Sequence, residues 1–237
     1  MTRSKGRAPQ DLRQIKITKS FMKNAHGSVL IEWGNTRVLC TAMYALGVPP
    51  FLEDSGKGWL TAEYAMLPGS TPQRKKRSTI KPDGRGTEIS RLIGRALRSA
   101  FDLSALEGYT INIDCDVIEA DGGTRTASIT GAYVALQLCI TEMLSNKLID
   151  RSPVQSGVAA VSCGIVGDTA LLDLNYIEDS SASADVNVVM SHDGGIIEVQ
   201  GTGEKRPITP DELHTLIEYA IAGIEKIRVI QQEALSK

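Results

Sequence analysis

The chain has 237 residues, of which 42% are hydrophobic and 23% are charged, and this is ordinary for a globular protein with a sizeable core. Its formal net charge of −2 predicts no general attraction to nucleic acid, so any such binding must come from a local basic patch. No apolar run reaches the roughly 18 residues of a membrane span. The polar N-terminus lacks the apolar core of a signal peptide. We therefore expect a cytoplasmic protein without a membrane segment.

The cysteines and histidines predict neither a zinc site nor a protein nucleophile. The four cysteines are far apart in apolar patterns, with no CxxC pair, and this favours buried reduced thiols. The spacing of the three histidines indicates no Ser-His-Asp or Cys-His arrangement.

Strands dominate the first part of the chain. Val29–Trp33 and Arg37–Ala42 flank the turn residues Gly34, Asn35 and Thr36, which predicts a hairpin. A further strand is predicted over Trp59–Ala65.

A loop rich in Pro, Gly, Ser and Thr follows over residues 68–87. Long loops inside compact domains are usually functional or disordered. This one carries a run of four basic residues: Arg74, Lys75, Lys76 and Arg77. We interpret the run as a local patch for binding nucleic acid, and a solvated loop is the alternative.

An amphipathic helix is predicted after the loop. Its apolar stripe is formed by Ile89, Leu92, Ile93, Ala96, Leu97, Ala100 and Phe101. Arg91, Arg95 and Arg98 recur at helical spacing on the other face. The helix is therefore expected to pack on the core and to present these three guanidinium groups outward, as part of the same basic patch.

The next feature is a glycine-rich turn between a strand and a helix. An alternating strand, Tyr109–Ile118, leads into the sequence DGGTR (121–125), and an apolar helical pattern runs from near Ala127 to about Leu148. Two glycines permit a sharp turn and a close approach to a ligand, and the amides and dipole of a helix start attract anions. We interpret the turn as an anion cradle; an ordinary strand-to-helix connection is the alternative.

The second half of the chain repeats the order of strand pairs followed by a helix. Hairpins are predicted from Val158–Val166 with Thr169–Asp173, and from Asp185–Met190 with Ile196–Gln200. No Pro- or Ser-rich linker separates the two halves, so residues 1–237 are interpreted as one α+β domain.

The last helix has a well-defined start. Thr209 is a good N-cap, Pro210 falls at the first helical position, and Glu212 completes a capping box. Its predicted buried face consists of Leu213, Leu216, Ile217, Ala220, Ile221, Ile224 and Ile227.

Two acids flank a small polar turn. Asp179 and Asp185 lie on either side of residues 180–184, so both can reach one site at a strand end. Paired carboxylates suit a hard cation such as Mg²⁺, which binds through one or two carboxylates plus substrate phosphates. Solvated turn acids are the alternative. Together with the anion cradle and the basic loop, the pair indicates phosphate chemistry on a polyanion.

The chain resembles the RNase PH family of phosphorolytic exoribonucleases over nearly its whole length. The similar stretches are long and collinear: GSVLIEWGNTRVLCTA (27–42), GWLTAEYAMLPGST (58–71), EISRLIGRALR (88–98), DCDVIEADGGTRTASITGA (114–132), EDSSASADVNVVM (178–190) and GGIIEVQGTGE (194–204).

The resemblance implies a fold related to ribosomal protein S5 domain 2 and a ring of six subunits built from three dimers. It implies phosphate-dependent 3′–5′ trimming of RNA, typically precursor tRNA, with release of nucleoside 5′-diphosphates and a reverse reaction that adds nucleotides. By position, the family's phosphate-binding residues fall on Arg85, Gly123, Thr124 and Arg125. Its active-site carboxylates fall on Asp179 and Asp185, the implied Mg²⁺ ligands, and its RNA-binding loop loosely matches Arg74 and Arg77.

Two other function classes remain as alternatives. A non-catalytic ring subunit that only binds RNA would be expected to lose part of the set Arg85, Thr124, Arg125, Asp179 and Asp185, and this chain keeps all five. A kinase-like nucleotide-binding enzyme would need a GxxxxGK[ST] loop, which the sequence lacks.

Overall fold

The computed structural model describes residue 3 and residues 6–77 and 84–236. These residues form nine strands and four α-helices, with short 3-10 turns at Pro50–Leu52 and Leu103–Leu106. The elements are β1 (Ile15–Lys19), β2 (Gly27–Trp33), β3 (Thr36–Leu46), β4 (Trp59–Met66), α1 (Gly84–Arg98), β5 (Tyr109–Glu119), α2 (Thr124–Ser145), β6 (Val158–Val166), β7 (Thr169–Leu172), α3 (Tyr176–Ser181), β8 (Ala184–Ser191), β9 (Ile196–Thr202) and α4 (Pro210–Ser236).

The strands form two sheets, which confirms the α+β fold class. The first sheet has the order β1-β2-β3-β5-β4, and the second has the order β7-β6-β8-β9. The three predicted hairpins are the antiparallel pairs β2–β3, β6–β7 and β8–β9. β4 runs parallel to β5, and α1 lies on the connection between them. Because the two strands are parallel, the segment after β4 begins at the same end of the sheet as the segment after β5.

The core helix α2 packs against both sheets. It contacts β2 and β3 of the first sheet and β6 of the second. Small residues make this packing possible, since a Cβ on Gly131 would lie 2.9 Å from Ile31 Cγ2 and 2.8 Å from Cys40 Sγ. By length and composition α2 does qualify as a membrane span, contrary to expectation, but 72% of its qualifying window is buried within the protein. An all-round apolar helix at this place is a core helix.

The structure confirms the amphipathic character of α1 and corrects its start. Ile89, Leu92, Ile93, Ala96 and Leu97 are fully buried, as the periodic pattern predicts. The helix already begins at Gly84, so the loop predicted over 68–87 is at least four residues too long. Its middle part, 78–83, lies outside the described residues.

The C-terminal helix α4 begins as predicted. The Thr209 hydroxyl accepts a hydrogen bond from the Glu212 amide, and the Glu212 carboxylate accepts one from the Thr209 amide. The predicted buried face is wrong at Ile221, which is exposed. Further along the helix, the buried side-chain amide of Gln231 joins α4 to the core by donating to the carbonyl oxygens of Thr130 and Val158.

A buried ion pair joins the N-terminal segment to the second sheet. Asp173 is 1% exposed and follows β7 in a left-handed conformation, with φ 56°. Its carboxylate accepts hydrogen bonds from the Arg13 guanidinium at 2.7 Å, from the Arg13 amide at 2.6 Å and from Trp33 Nε1 at 2.9 Å. Because each buried charge needs such partners, the two segments cannot separate without a large cost.

We predict that Asp173→Asn lowers the free energy of unfolding by about 3–5 kcal/mol, because the shape is kept while the buried Arg13 loses its counter-charge. Urea unfolding followed by the fluorescence of buried Trp33 measures the change. The matched control is Glu225→Gln, which removes a carboxylate from a surface pair with Arg228 and should have little effect. Equal free energies of unfolding for Asp173→Asn and the wild type would contradict the prediction.

Candidate active site

The DGG turn has the geometry of an anion cradle. Gly122 and Gly123 have φ values of 76° and 66°, and α2 begins at Thr124, three residues before its predicted start. Successive backbone amides in a tight turn can form a concavity that binds an anion. The first amides of α2 have no intrahelical acceptor, so they are available to an anion.

The turn is held from behind by two side chains. Arg13 Nη1 donates to the Asp121 carbonyl oxygen at 2.6 Å. The Thr36 hydroxyl donates to the Gly122 carbonyl oxygen at 2.7 Å and accepts from the Asp121 amide at 2.9 Å. These hydrogen bonds use backbone groups of the turn just before the helix. They fix the conformation of the turn.

Side chains at the start of α2 are also positioned by neighbours. The hydroxyl groups of Thr124 and Tyr64 are 2.9 Å apart, and burial raises the pKa of Tyr64, which keeps this phenol protonated. Arg125 Nη1 donates to Gln200 Oε1 at 2.9 Å and to Glu88 Oε1 at 3.3 Å. The guanidinium of Arg125 is thus held at the surface of the cleft, 22% exposed.

The helix α3, which the sequence did not predict, carries Asp179. Asn175 and Glu178 form a capping box at its start. The buried Glu178 carboxylate also accepts hydrogen bonds from Arg3 and Arg7. Burial alone would raise the pKa of Glu178, but these bonds lower it and keep the carboxylate ionised. The N-terminal arginines thereby fix the helix that presents Asp179.

Asp185 lies on β8, where it pairs with Gly164 of β6 and Thr202 of β9. Burial raises the pKa of Asp185, and the negative charges of Asp179 and Glu204 raise it further. Burial also raises the pKa of Asp179, whereas the charges of Arg85 and Arg125 lower it. The two acids therefore lie close enough to interact, in a site that also holds cations.

One open cleft of about 1480 Å³ brings the predicted site residues together. Its lining includes every predicted phosphate-binding residue and both acids: Arg85, Gly123, Thr124, Arg125, Asp179 and Asp185. Of the predicted RNA-binding residues, Lys75 lines the cleft, whereas Arg74, Lys76, Arg77, Arg91, Arg95 and Arg98 do not. Segments more than 90 residues apart in the sequence thus converge on one place.

The polar face of α1 has intramolecular partners. Arg95 forms an ion pair with Glu198 of β9 at 2.6 Å. The Arg98 guanidinium lies 4.5 Å from the centroid of the Trp59 ring and donates to the Leu60 carbonyl oxygen at 2.9 Å. The expectation that Arg98 projects outward is therefore wrong, since the half-buried Trp59 of β4 offers its half-buried side chain a cation–π partner.

Sequence reasoning missed the residues that support the site. Arg13 and Tyr64 carry no local signal, because their partners Asp121 and Thr124 lie 108 and 60 residues further along the chain. Thr36 was noted only as part of a hairpin turn. A polar residue beside a turn can be recognised as a support only when the tertiary contact is known.

Comparison with known proteins identifies the family. Residues 11–142 match the 3′ exoribonuclease family, domain 1, and residues 157–223 match the 3′ exoribonuclease family, domain 2. The chain belongs to the 3′ exoribonuclease family. A ribonuclease PH from Corynebacterium glutamicum (strain R) is 53% identical over 236 residues, which cover 99% of this chain and 96% of that protein. The resemblance to the RNase PH family is thus confirmed.

Solved structures share the fold of this family member. Rice (Oryza sativa) Rrp46 superposes with a TM-score of 0.80 at 20% identity, covering 98% of this chain and all of that one. A chain of the Archaeoglobus fulgidus exosome with RNA bound to the active site gives a TM-score of 0.83 at 24% identity, covering 95% of this chain and 91% of that one. At these identities the likeness shows the fold alone.

The acid pair predicts a pH dependence for RNA degradation. If both aspartates act as carboxylates, activity falls as the pH drops through their raised pKa values. Glu204→Gln removes a negative charge that raises both pKa values, so the acidic limb of the pH–rate profile should move to lower pH. Glu142→Gln, which neutralises an acid near the far end of α2, serves as the control. An unchanged limb in Glu204→Gln would show that these acids do not set it.

Proposed function

We propose that inorganic phosphate bound at the start of α2 attacks the last phosphodiester of an RNA 3′ end in this cleft. The main observation behind this proposal is that the glycine turn, Arg85 and the two aspartates line the same open cleft. A phosphate-dependent 3′–5′ exoribonuclease, the activity predicted from the sequence, is also the activity indicated by the family and by the 53% identical ribonuclease PH.

The reaction needs no protein nucleophile. A phosphate oxygen forms a bond to the phosphorus of the terminal nucleotide while the bond to the 3′ oxygen of the preceding nucleotide breaks. The products are a nucleoside 5′-diphosphate and an RNA shortened by one residue, and the freed 3′ oxygen takes up a proton. Because one anhydride and one hydroxyl replace a diester and a phosphate, the reverse addition of nucleotides should use the same site.

Positioning and charge neutralisation are what the chain contributes to phosphoryl transfer. The amides of Gly123 and Thr124 and the guanidinium groups of Arg85 and Arg125 would bind and orient the attacking phosphate. Arg125 is suited to this, because its planar fork matches phosphate oxygens and its other contacts already orient it.

The acid pair fits a divalent cation. Asp179 and Asp185 interact as like charges in a half-buried site, so a bound cation would relieve their repulsion. Within the described ranges, no group of three or more His, Cys, Asp or Glu residues is arranged around a metal position. Mg²⁺ typically binds through one or two carboxylates while substrate phosphates supply further oxygens. A bound Mg²⁺ would neutralise charge that develops on the phosphate groups.

The RNA substrate and the assembly are also proposals. Lys75 reaches the cleft from the basic run at 74–77, so this run can contact RNA behind the 3′ end. We propose precursor tRNA as the substrate, a homohexameric ring of three dimers as the assembly, and the cytoplasm as the location. A chain of an archaeal exosome core, at a TM-score of 0.79 and 23% identity over 96% of this chain and 90% of that one, has the same subunit fold.

The two halves are proposed to form a single domain over residues 1–237. The first family match ends within α2, at residue 142, and the second begins just before β6, at residue 157. One hydrophobic cluster nevertheless includes residues of both sheets and of α2. The Arg13–Asp173 ion pair crosses the same boundary.

The decisive test is the identity of the attacking group. Single-stranded RNA incubated with the protein and Mg²⁺ should be shortened only when inorganic phosphate is added, and chromatography should show nucleoside diphosphates. Asp185→Asn, which removes a charge from the acid pair, should depress degradation and, with added diphosphates, synthesis alike. Monophosphate products formed at equal rate in phosphate-free buffer would refute phosphorolysis.

Replacing Arg125 should impair the use of phosphate more than the binding of RNA. We expect Arg125→Ala to reduce phosphorolysis on the order of 100-fold or more, as for removal of one preorganised donor to a reacting anion. Arg125→Lys should recover only part of this, since an ammonium cannot form the bidentate contact. RNA binding without phosphate should stay near the wild-type level. The matched control is Arg151→Ala, an exposed arginine outside the cleft. Wild-type rates at low phosphate in Arg125→Ala would exclude the assigned role.

A further inference from the structure

An exposed tyrosine lies beside the anion cradle. Tyr176 is the first residue of α3, lines the cleft and is 59% exposed. Its neighbour Ile177 also lines the cleft and is 61% exposed. Two large, exposed side chains thus lie next to each other in the cleft. Neither residue has a role in binding phosphate or a cation.

The main chain of Tyr176 is fixed against the glycine turn. Its amide donates to Asp121 Oδ1 at 3.2 Å. A Cβ built on Gly122 would lie only 2.9 Å from the Tyr176 nitrogen, so the two backbones are in direct contact. Within the described ranges, no hydrogen bond of the phenol and no ring-to-ring contact is formed. The ring therefore stands on a rigid base, with its surface open to the cleft.

The surroundings of the ring match a single-stranded nucleic acid. Lys75 and Lys205 line the same cleft and supply positive charge for a phosphate backbone, in addition to the two arginines assigned to the attacking phosphate. Sites for single strands combine such charge with aromatic faces on which bases stack. An unpaired base offers a flat face, whereas a base inside a duplex is already stacked between its neighbours.

We propose that Tyr176 is a stacking platform for an unpaired base near the RNA 3′ end. This rests on the proposed function for the presence of RNA and adds the group that recognises the base. Stacking on Tyr176 positions the strand, so that the terminal phosphodiester faces the cradle at Gly123 and the acid pair. Because every base has such a face, the contact selects single strands without selecting a sequence.

The test compares three variants by fluorescence anisotropy of a labelled single-stranded RNA in phosphate-free buffer. Tyr176→Ala should weaken binding on the order of tenfold, the usual scale for loss of one stacked base. Tyr176→Phe should bind like the wild type, because it keeps the ring. Ile177→Ala removes a comparably exposed apolar side chain from the next position and should cause a much smaller loss.

An abasic substrate separates stacking from a structural effect. When the bases of the last nucleotides are replaced by abasic sites, wild type and Tyr176→Ala should bind equally. With phosphate present, Tyr176→Ala should raise the KM for RNA and leave the KM for phosphate unchanged. If Tyr176→Ala unfolds, Tyr176→Leu is used in the same measurements.

Several results would overturn the inference while leaving the exoribonuclease function intact. These are wild-type RNA affinity in Tyr176→Ala, equal losses on normal and abasic RNA, or an equal loss in Ile177→Ala. A change of particle mass in light scattering would identify Tyr176 as a subunit contact instead. Absence of RNA binding by the wild-type protein would overturn the proposed function itself.

Discussion

The ion pair between Arg13 and Asp173 is the contact on which both the fold and the cleft depend. One guanidinium satisfies a buried carboxylate at the end of β7 and donates to the carbonyl oxygen of Asp121. The first contact ties the N-terminal segment to the second sheet, and the other holds the turn that precedes α2. A charge buried to this degree is stable only with all its partners in place. Because the same guanidinium also binds the turn, the turn is held as rigidly as the core.

The cleft that results is electrostatically divided. Guanidinium groups and free helix amides gather around the glycine turn, while Asp179, Asp185 and Glu204 repel one another nearby. Burial raises the pKa values of both aspartates, and the arginines partly oppose this at Asp179. The cleft therefore presents positive charge at the glycine turn and negative charge at the acid pair. In the proposed function, phosphate would bind at the glycine turn and a divalent cation at the acid pair.

Local signals were enough to predict most elements and the glycine turn at the start of α2. Hairpins such as β2–β3 follow from alternation around a turn, and Gly123 to Arg125 were recognisable because a glycine turn and the helix start lie side by side in the chain. The six-residue helix α3 was missed, since it is too short for a periodic pattern. Arg98 was misjudged because its partner Trp59 belongs to another element. The support from Arg13 depends on contacts over 108 and 160 residues, which no local pattern encodes.

The direct contact of Gly122 with α3 has a consequence for how this site can vary. A Cβ at Gly122 would lie 2.6 Å from the Leu174 carbonyl oxygen and 2.7 Å from the Asn175 carbonyl carbon, so main chain meets main chain with no side chain between. The spacing between the glycine turn and the helix that carries Asp179 is thus set by contact between backbone atoms. Substitutions of side chains elsewhere around the cleft leave this contact in place. Any side chain at position 122 would push the turn and the helix apart, so the spacing depends on a glycine there.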